Sequence, residues 1–458
     1  MHTSIASLLT LLIPATLAIP RISPGNSGSD ASVIPSEVLY YYRYHHIPLD
    51  VYMNRLTNNM LLDEDQDAVA KAINEMACGP GKLRTCPSLQ WYCNANMGKC
   101  SIKKLIGERH TTPQNYELSE LPAPTVQDPN DIVIKVHAAS VNPIDVKKAS
   151  GASKVVLKDS FPYKIGYDCA GTVAEIGSQV TNFKVGDEVF ARLPECHRGT
   201  WSELAKTTED FVALKPKSLS MEDSASIPLA AMTALQALRG YPGSLEGKTV
   251  FIPAGLSGTG LFACQLAKNV FKAGKVITTV STSKVPQVKE FLGEGVVDEI
   301  IDYRKTDPKT VIPAQSVDFL FDTTGDAITY LSQMRPTGAI VSISIMTSGE
   351  TLQNSSLMRL SPDKNNRATV PYPVRLALNV LDRIRVMRAS RYGVKYSSIF
   401  LEPNAKDLKS ICEWVESGKL RTVVGTKVSY KDIKAVRDAC QVVYDSKGGV
   451  GKSVITFV

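Results

Sequence analysis

Apolar strands alternate with amphipathic helices through the second half of the chain. Residues 249–254 ("TVFIPA") form an apolar run that predicts a buried strand, and 259–274 ("TGLFACQLAKNVFKAG") has the spacing of a helix that ends at a glycine. The alternation continues through strands predicted at 275–280, 299–303, 317–324 and 338–344, with a helix at 285–293. Strand, helix and strand at this spacing predict a parallel sheet with helical crossovers, and therefore an α/β fold.

Shorter strands bounded by glycines are predicted before that region. Residues 131–141 ("DIVIKVHAASV") alternate between apolar and polar positions, and 171–177 and 186–193 are shorter runs. Small apolar residues at 226–240 predict a helix that ends at its terminal glycine. Beyond the alternating region the predictions are an edge strand at 391–400, a helix at 406–418 and a closing strand in "VGKSVITFV", whereas 345–390 shows no clear period.

The first twenty residues, "MHTSIASLLTLLIPATLAIP", have a different character. Their apolar centre runs from Ile5 to Leu17, and the small residues Thr16 and Ala18 stand where a signal peptidase cleaves. The pattern predicts a secretory signal peptide over 1–18. Because no Lys or Arg precedes the apolar centre, a membrane-anchored or merely apolar leader is the alternative.

Four closely spaced cysteines follow the leader, behind a stretch rich in Pro, Gly and Ser. They are Cys78, Cys86, Cys93 and Cys100. Such a cluster behind a signal peptide favours two disulfides, whose connectivity the sequence leaves open. A zinc site is the alternative, although the cluster contains no Cys-x-x-Cys pair. Residues 19–100 are therefore predicted to form a linker and a small cysteine-rich module.

Length and composition narrow the classes of function. A chain of 458 residues is expected to hold two or three domains, and its 43% hydrophobic and 21% charged residues are a globular composition. The formal net charge of +7 is spread along the chain without a basic block, so nucleic acid is not an expected partner. After the leader, no run approaches the roughly 18 apolar residues of a membrane-spanning helix, so no stable span is expected in the mature chain.

A glycine-rich loop joins the first strand of the alternating region to its helix. The loop reads "AGLSGTG" over 254–260. Glycines here would let the backbone approach a pyrophosphate, and the following helix N-terminus offers free N–H groups. Because the loop lies inside a βαβ unit, it predicts a dinucleotide site, with a tight structural turn as the alternative. The predicted cofactor contacts are Ser257, Gly258, Thr259 and Gly260.

The end of the next strand selects between NADH and NADPH. An NAD site usually carries an acid there, which accepts hydrogen bonds from the ribose. This chain instead has three hydroxyls and an ammonium, on Ser281, Thr282, Ser283 and Lys284. These groups favour the 2′-phosphate of NADPH, which an acid would repel; a solvated lysine is the alternative for the last of them. Tyr303, after the third strand, and Thr324, after the fourth, are assigned to the same cofactor.

Two stretches with many glycines and turns carry a wider resemblance. They are "AASVNPIDVKKASG" (138–151) and "GYDCAGTVAEIGSQVTNFKVGDEVFA" (166–191). With the glycine loop, the chain from about 101 to 458 resembles the medium-chain dehydrogenase/reductase superfamily, in particular its zinc-free quinone oxidoreductase branch. The resemblance implies a GroES-like catalytic domain at 101–225, a Rossmann NADP-binding domain at 226–400, and a segment at 401–458 that returns to the catalytic domain.

The resemblance also implies which residues act, and whether a metal does. Zinc-dependent members carry Cys and His ligands where this chain has Asn142, Pro143 and Tyr167, and only Cys196 lies in the region of their structural zinc. Zinc needs sulfur or imidazole donors, so no metal site is expected. Asn142 is the predicted catalytic residue near the nicotinamide and the substrate. Tyr167 is a candidate hydrogen-bond donor, with a packed aromatic residue as the alternative.

These features predict an NADPH-dependent, zinc-independent oxidoreductase that reduces a quinone or an α,β-unsaturated carbonyl or ketone by hydride transfer. The alternative is a secreted, disulfide-stabilised binding module fused to a reductase body without activity. The leader indicates the secretory pathway or the extracellular space, whereas five dispersed cysteines and the reductase part are typical of a cytoplasmic enzyme. The expected partner is a small-molecule carbonyl or quinone, and a homodimer is left open.

A second glycine-rich stretch, "KGGVGKS" at 447–453, is similar to an ATPase phosphate loop. Such a loop needs a strand before it and a helix after it. Only "VITFV" follows, and these β-branched and apolar residues predict a strand. The stretch is therefore interpreted as a turn before the closing strand, and ATP hydrolysis is not expected.

Overall fold

The computed structural model describes residues 101–107, 109–344, 346–361, 366–447 and 449–457. The predicted leader, linker and cysteine module lie outside these ranges and stay predictions. In chain order the strands are β1 (Ser101–Gly107), β2 (Glu117–Pro122), β3 (Asp131–Val141), β4 (Tyr163–Lys164), β5 (Asp168–Ile176), β6 (Glu188–Arg192), β7 (Leu204–Thr208), β8 (Val212–Leu214), β9 (Thr249–Ile252), β10 (Lys275–Val280), β11 (Glu299–Asp302), β12 (Val317–Asp322), β13 (Met334–Ser342), β14 (Lys395–Ser398), β15 (Val424–Ser429) and β16 (Lys452–Thr456).

The α-helices are α1 (Pro143–Ala149), α2 (Met221–Ala225), α3 (Pro228–Arg239), α4 (Gly258–Gln265), α5 (Gln287–Leu292), α6 (Pro308–Val311), α7 (Gly349–Asn354), α8 (Tyr372–Ser390), α9 (Ala405–Glu416) and α10 (Ile433–Tyr444). Short 3-10 helices lie at Pro113–Asn115, Glu195–His197, Glu209–Phe211, Thr282–Lys284, Ala327–Tyr330 and Ser356–Met358.

Six strands form the parallel sheet that the alternating pattern predicts. Their order across the sheet is β11-β10-β9-β12-β13-β14, and every neighbouring pair is parallel. Numbered from the first strand of this sheet, the order is 3-2-1-4-5-6, the arrangement of dinucleotide-binding sheets. The strand order reverses between β9 and β12, so the loops after these strands open a crevice at the carboxyl edge of the sheet.

A second sheet combines strands from both ends of the described chain. Its order is β15-β16-β3-β5-β6-β8, and β7 also pairs with β3. β16 runs antiparallel to β3, with Ser453 opposite Val141, so the last strand lies beside the strand that leads to Asn142. β3 and β5 approach most closely at Gly171, where a Cβ would lie 1.9 Å from the carbonyl oxygen of Lys135. That close approach requires glycine. A third, three-stranded sheet has the order β2-β1-β4.

The small-residue helix α3 connects the cores of the two large sheets. Its alanines are buried, and one cluster of buried apolar side chains contains them together with Phe190 of β6 and Phe319 of β12. Continuous apolar packing of this kind holds its elements in a fixed relation. The carboxyl edge of the parallel sheet and the end of β3 therefore belong to one packed body.

Most predicted elements are confirmed, and the differences have local causes. The helix predicted at 259–274 begins at Gly258, leaves the α-form after Gln265 and continues as a π-turn over Leu266–Val270. The strand predicted at 317–324 ends at Asp322, whose carboxylate accepts a hydrogen bond from the backbone N–H of Gly325 at 2.7 Å and so closes a turn. Thr324 thus lies in a turn and not in a strand.

The stretch 345–390, which shows no clear period, contains the 19-residue helix α8. Its period is hidden because apolar residues lie on both its inward and its outward sides, as described below. The hairpin of β1 and β2 and the helix α10 were also not predicted. Within the described ranges, no helix is both long and apolar enough to span a bilayer.

Candidate active site

The carboxyl ends of the parallel strands bring the predicted cofactor residues to one edge. The glycine loop follows β9, the hydroxyl and lysine residues 281–284 follow β10, Tyr303 follows β11 and Thr324 follows β12. The backbone N–H of Tyr303 donates to the carbonyl of Val280 at 3.2 Å, which places it directly beside residues 281–284. The sequence-based grouping of these residues therefore agrees with their positions in the fold.

The glycine loop is tight because two of its glycines have no room for a side chain. A Cβ on Gly255 would lie 2.2 Å from the hydroxyl of Thr278, and one on Gly260 would lie 2.3 Å from the carbonyl oxygen of Ala254. Ser257 caps α4, and its hydroxyl accepts a hydrogen bond from the backbone N–H of Gly260 at 3.1 Å. Ser257, Gly258 and Thr259 are half-buried, so this helix N-terminus is open to a phosphate.

Residues 281–284 form an exposed turn that is rich in hydrogen-bond donors. Thr282 and Ser283 are exposed, while Ser281 and Lys284 are half-buried. The ammonium of Lys284 donates to the carbonyl of Gly449 at 2.8 Å, and partial burial lowers the pKa of this lysine. The donor set suits a phosphate, and the absence of an acid from these four residues agrees with that role.

Arg304 is a candidate that the sequence analysis missed. Its guanidinium lies 5.5 Å from the centre of the Tyr303 ring, a cation–π contact at the same edge of the sheet. Tyr303 is 47% exposed and Arg304 is exposed too, so both groups are accessible to a ligand. The sequence contains the signal for this residue, because an arginine, which suits a phosphate, directly follows the tyrosine assigned to the cofactor.

Thr324 is held by a buried carboxylate at the next strand end. Its backbone N–H donates to Asp322 at 3.2 Å, and the hydroxyl of Ser342 donates to the other oxygen of Asp322 at 2.7 Å. The turn is therefore fixed by the protein itself. Taken together, the glycine cradle, the half-buried helix N-terminus and the donor-rich turn fit a dinucleotide with a 2′-phosphate.

Asn142 lies in a buried polar cluster at the end of β3. It is fully buried and serves as the N-cap of α1. Its amide nitrogen donates to Asp168 at 2.9 Å and to the hydroxyl of Ser140 at 3.2 Å, and its amide oxygen accepts from the ammonium of Lys452. All hydrogen-bonding groups of this side chain are thus engaged within the protein, which fixes its orientation.

Lys452 joins this polar cluster to the glycine loop. Its side chain is buried, and its ammonium also lies 3.3 Å from the carbonyl of Val141. Two bonds before that ammonium, Cδ of Lys452 lies 2.7 Å from the position of a Cβ built on Gly258. The end of one lysine side chain therefore contacts both the loop and Asn142. Sequence reasoning missed it because Lys452 is 310 residues away from Asn142 in the chain.

The turn that resembles an ATPase loop packs directly against the glycine loop. The backbone N–H of Gly451 donates to the carbonyl of Leu256 at 3.0 Å, and Gly451 forms an isolated parallel bridge with Ser257. Lys452 begins β16, so a strand and not a helix follows the turn, as predicted. The turn is thus a structural neighbour of the dinucleotide loop and lacks the helix that a P-loop needs.

Two aspartates give the polar cluster its negative charge. Asp145 lies in α1 and accepts from the backbone N–H of Asn142 at 2.6 Å. Burial, and next the charge of Asp168, raise the pKa of Asp145 to about 7. Burial lowers the pKa of Lys452, while the two aspartates oppose that shift. The cluster therefore holds opposite charges whose balance depends on pH.

We expect the replacement Asp145→Asn to change how stability depends on pH. Because the pKa of Asp145 is higher in the folded chain than its ordinary value of 3.8, its contribution favours folding at low pH and is lost as the pH rises through about 7. The free energy of unfolding of Asp145→Asn, taken relative to that of the wild type, should therefore be higher at pH 8 than at pH 5. Urea denaturation of both proteins at the two pH values measures this difference.

Asp187→Asn is the matched control, because the pKa of this half-buried aspartate is lowered and not raised. Its stability relative to the wild type should change in the opposite direction or not at all over this range. An Asp145→Asn variant whose difference from the wild type is equal at pH 5 and pH 8 would contradict the raised pKa.

Tyr167 lies in a second buried cluster. Its hydroxyl donates to Glu195 at 2.5 Å, and burial raises its pKa well above the ordinary value. Glu195 also accepts from Lys148 at 2.8 Å, and Arg192 lies 4.5 Å from the centre of the Tyr167 ring. The hydroxyl proton of Tyr167 is thus engaged with a carboxylate. The role of Tyr167 as a donor to substrate stays a prediction.

Within the described ranges, no group of three or more His, Cys, Asp or Glu side chains is arranged to hold a metal ion. Asn142 and Tyr167, at two of the positions where zinc-dependent relatives carry ligands, are both bonded to protein groups. Cys196 is half-buried, and burial raises its pKa to about 11.

A parallel sheet of order 3-2-1-4-5-6 is the architecture of a dinucleotide-binding domain, and the mixed sheet beside it carries the polar cluster. Two family models match the chain. The alcohol dehydrogenase GroES-like domain matches residues 128–217, and the zinc-binding dehydrogenase domain matches residues 297–455.

Comparison with known proteins agrees with this class. The chain is 30% identical over 329 residues to the mitochondrial NAD(P)H oxidoreductase RTN4IP1 of Homo sapiens, covering 66% of this chain and 76% of that protein. It is 33% identical over 231 residues to the chloroplastic NADPH-dependent alkenal/one oxidoreductase of Arabidopsis thaliana, covering 49% and 58%. The solved quinone oxidoreductase of Coxiella burnetii has a TM-score of 0.63 and 27% identity, covering 78% of this chain and all of that one.

The chain belongs to the medium-chain dehydrogenase/reductase superfamily. The predicted superfamily, the GroES-like domain and the Rossmann-like parallel sheet are thereby confirmed.

Proposed function

We propose that this protein is an NADPH-dependent, zinc-independent oxidoreductase that reduces a quinone or an α,β-unsaturated carbonyl or ketone. The cofactor follows from the glycine cradle and from the donor-rich turn at 281–284. The names of the Arabidopsis alkenal/one oxidoreductase and the Coxiella quinone oxidoreductase support the two acceptor classes. Fold alone does not choose between them.

The observation that carries the proposal is the position of Lys452. The aliphatic part of its side chain lies against Gly258 of the glycine loop, and its ammonium donates a hydrogen bond to Asn142. The predicted cofactor loop and the predicted catalytic residue are therefore within one side chain of each other. That proximity is what a hydride-transfer site needs, because the cofactor and the acceptor must meet in a fixed geometry.

When bound, NADPH supplies the hydride that reduces the acceptor. The chain supplies the fixed charges around the acceptor. Lys452 places a cation at the end of β3, and Arg192, which lies opposite Asp168 in the sheet, places a second one between this cluster and Tyr167. Among the described residues, the Nε of Arg192 has no hydrogen-bond partner. Preorganised positive charge of this kind stabilises an oxygen that becomes negative during reduction. Asp168 holds Asn142 in place by a direct hydrogen bond.

Zinc independence rests on donor chemistry. Asn142, Pro143 and Tyr167 occupy the positions at which zinc-dependent relatives carry ligands, and none of them offers sulfur or imidazole. The cations that stabilise an oxyanion without zinc are present in the chain as Lys452 and Arg192.

We expect the purified protein to oxidise NADPH when it is offered a quinone or an enone, and to keep that activity after exhaustive chelation. The physical reason is that its positive charges are covalent parts of the chain and cannot be dialysed away. The measurement is NADPH absorbance loss with a panel of quinones, alkenals and ketones, before and after chelation, together with the zinc content of the protein.

A zinc-dependent dehydrogenase treated in the same way is the control and should lose activity. One zinc per chain, with activity that disappears on its removal, would overturn zinc independence. NADPH binding without turnover of any acceptor would favour the alternative of a binding module fused to an inactive reductase body. The predicted leader lies outside the described residues, so the cellular compartment stays a prediction.

A further inference from the structure

Helix α8 exposes a continuous apolar stripe to solvent. The stripe consists of Tyr372, Leu376, Val380, Ile384 and Met387, which follow one another at intervals of four, four, four and three residues along the helix. These side chains are 67%, 50%, 51%, 44% and 51% exposed. Residues at such intervals lie on one side of a helix, so the stripe runs along most of its length of about 28 Å.

Few side chains are buried on the opposite side of α8. Leu378 and Ala389 are the buried residues of this helix. A surface helix normally turns its apolar side to the core and its polar side to water. In α8 the larger apolar side is turned outward, and an exposed apolar surface of this kind marks an interaction site.

The charged residues around the stripe are positive. Arg383 lies in the middle of the helix and Arg388 near its end, and Arg391 follows directly after it; all three are exposed. The one acidic residue of α8, Asp382, is half-buried and lies toward the protein. The outward side of the helix therefore combines large apolar side chains with cations and presents no acid of its own.

Charge decides what this surface binds. If a second copy of the chain covered the stripe through a two-fold axis, it would bring a second set of Arg383, Arg388 and Arg391 and no acid from α8, so like charges would be confined in one interface. A bilayer with anionic lipid offers the complementary charge. Arginine can extend its guanidinium to lipid phosphates while its stem covers apolar surface.

We propose that α8 is a membrane-surface helix that docks the protein on a bilayer containing anionic lipid. The stripe lies at the boundary between headgroups and acyl chains, and Arg383, Arg388 and Arg391 contact lipid phosphates. The helix rests on the surface and does not span it, in keeping with its arginine content. This inference is independent of the reductase chemistry.

Co-sedimentation of the full chain with vesicles tests the proposal. We expect binding to phosphatidylcholine vesicles that contain about one third phosphatidylserine, and at least tenfold weaker binding to pure phosphatidylcholine, since each basic residue near an anionic surface contributes about fivefold in affinity. The variant Val380→Glu/Ile384→Glu should bind the anionic vesicles at least tenfold more weakly. Added salt should weaken binding of the wild type.

The matched control is Val185→Glu/Val311→Glu, which adds the same charge at two exposed valines outside α8. It should bind like the wild type. Equal loss in the control variant, or full binding by Val380→Glu/Ile384→Glu, would overturn the proposal. So would the absence of vesicle binding together with a dimer that the α8 variant dissociates, because a second copy would then occupy the stripe.

A second readout reports on the helix itself. Tryptophan introduced as Ile384→Trp should be quenched by vesicles that carry brominated acyl chains more strongly than the tryptophans of the wild type. Tryptophan introduced as Val185→Trp should add no such quenching. Quenching that is equal for Ile384→Trp and Val185→Trp would show that another part of the chain contacts the lipid, and would overturn the proposal.

Discussion

Replacement of Lys452 by methionine is expected to lower the free energy of unfolding by about 3–5 kcal/mol, because removing one partner of a buried ion cluster leaves the other charges uncompensated. Methionine fills a similar volume but has no charge. Asp145 and Asp168 would then share a buried site without the ammonium, and the amide oxygen of Asn142 would lose its donor. Urea denaturation at pH 8 measures the effect.

Lys447→Met is the matched control, because Lys447 lies in the same glycine-rich turn. Its side chain is 75% exposed, and its ammonium forms an ion pair with the carboxylate of Asp445. It should leave stability nearly unchanged. The double variant Lys452→Met/Asp168→Asn should recover part of the lost free energy of unfolding, because it removes one of the two buried carboxylates that the ammonium no longer balances. A Lys452→Met protein within about 1 kcal/mol of the wild type would show that the cluster does not depend on this lysine.

Lys284→Glu is expected to weaken NADPH binding roughly ten- to a hundredfold while it changes NADH binding little, because a charge-assisted hydrogen bond contributes about 1.5–3 kcal/mol. The ammonium of Lys284 is held at the end of β10, where it bonds Gly449 at 2.8 Å beside the exposed hydroxyls of Thr282 and Ser283. Only NADPH carries the phosphate that this ammonium would bind. Fluorescence titration with both dinucleotides gives the two affinities.

Lys289→Glu is the control for this experiment. Lys289 is 67% exposed on the following helix α5, so the same reversal of charge at that position should have a small effect on both cofactors. If Lys284→Glu weakened the binding of NADPH and of NADH equally, the role of Lys284 would be to hold the turn at residues 281–284 in place. It would then not be recognition of the 2′-phosphate.

Much of the cofactor site could be predicted because each of its parts is local in the chain. The loop after β9 and the donors after β10 are each defined by a few neighbouring residues. Parallel strands must bring such segments to one edge, so strand order and spacing were sufficient to group them. The strand that leads to Asn142 was also predictable, since its alternating pattern gave β3 its observed bounds, whereas the role of Asn142 was implied by the resemblance and stays a prediction.

The sequence determined the α/β alternation, the glycine loop and the donor-rich turn, because their signals are short-range periodicity and turn chemistry. Only the tertiary structure decided that Lys452 bonds Asn142 across 310 residues, that Glu195 engages the hydroxyl of Tyr167, and that α8 turns its apolar stripe outward. The physical reason is that buried charge pairing and the direction of a helix depend on which distant elements pack together, and no local pattern contains that information.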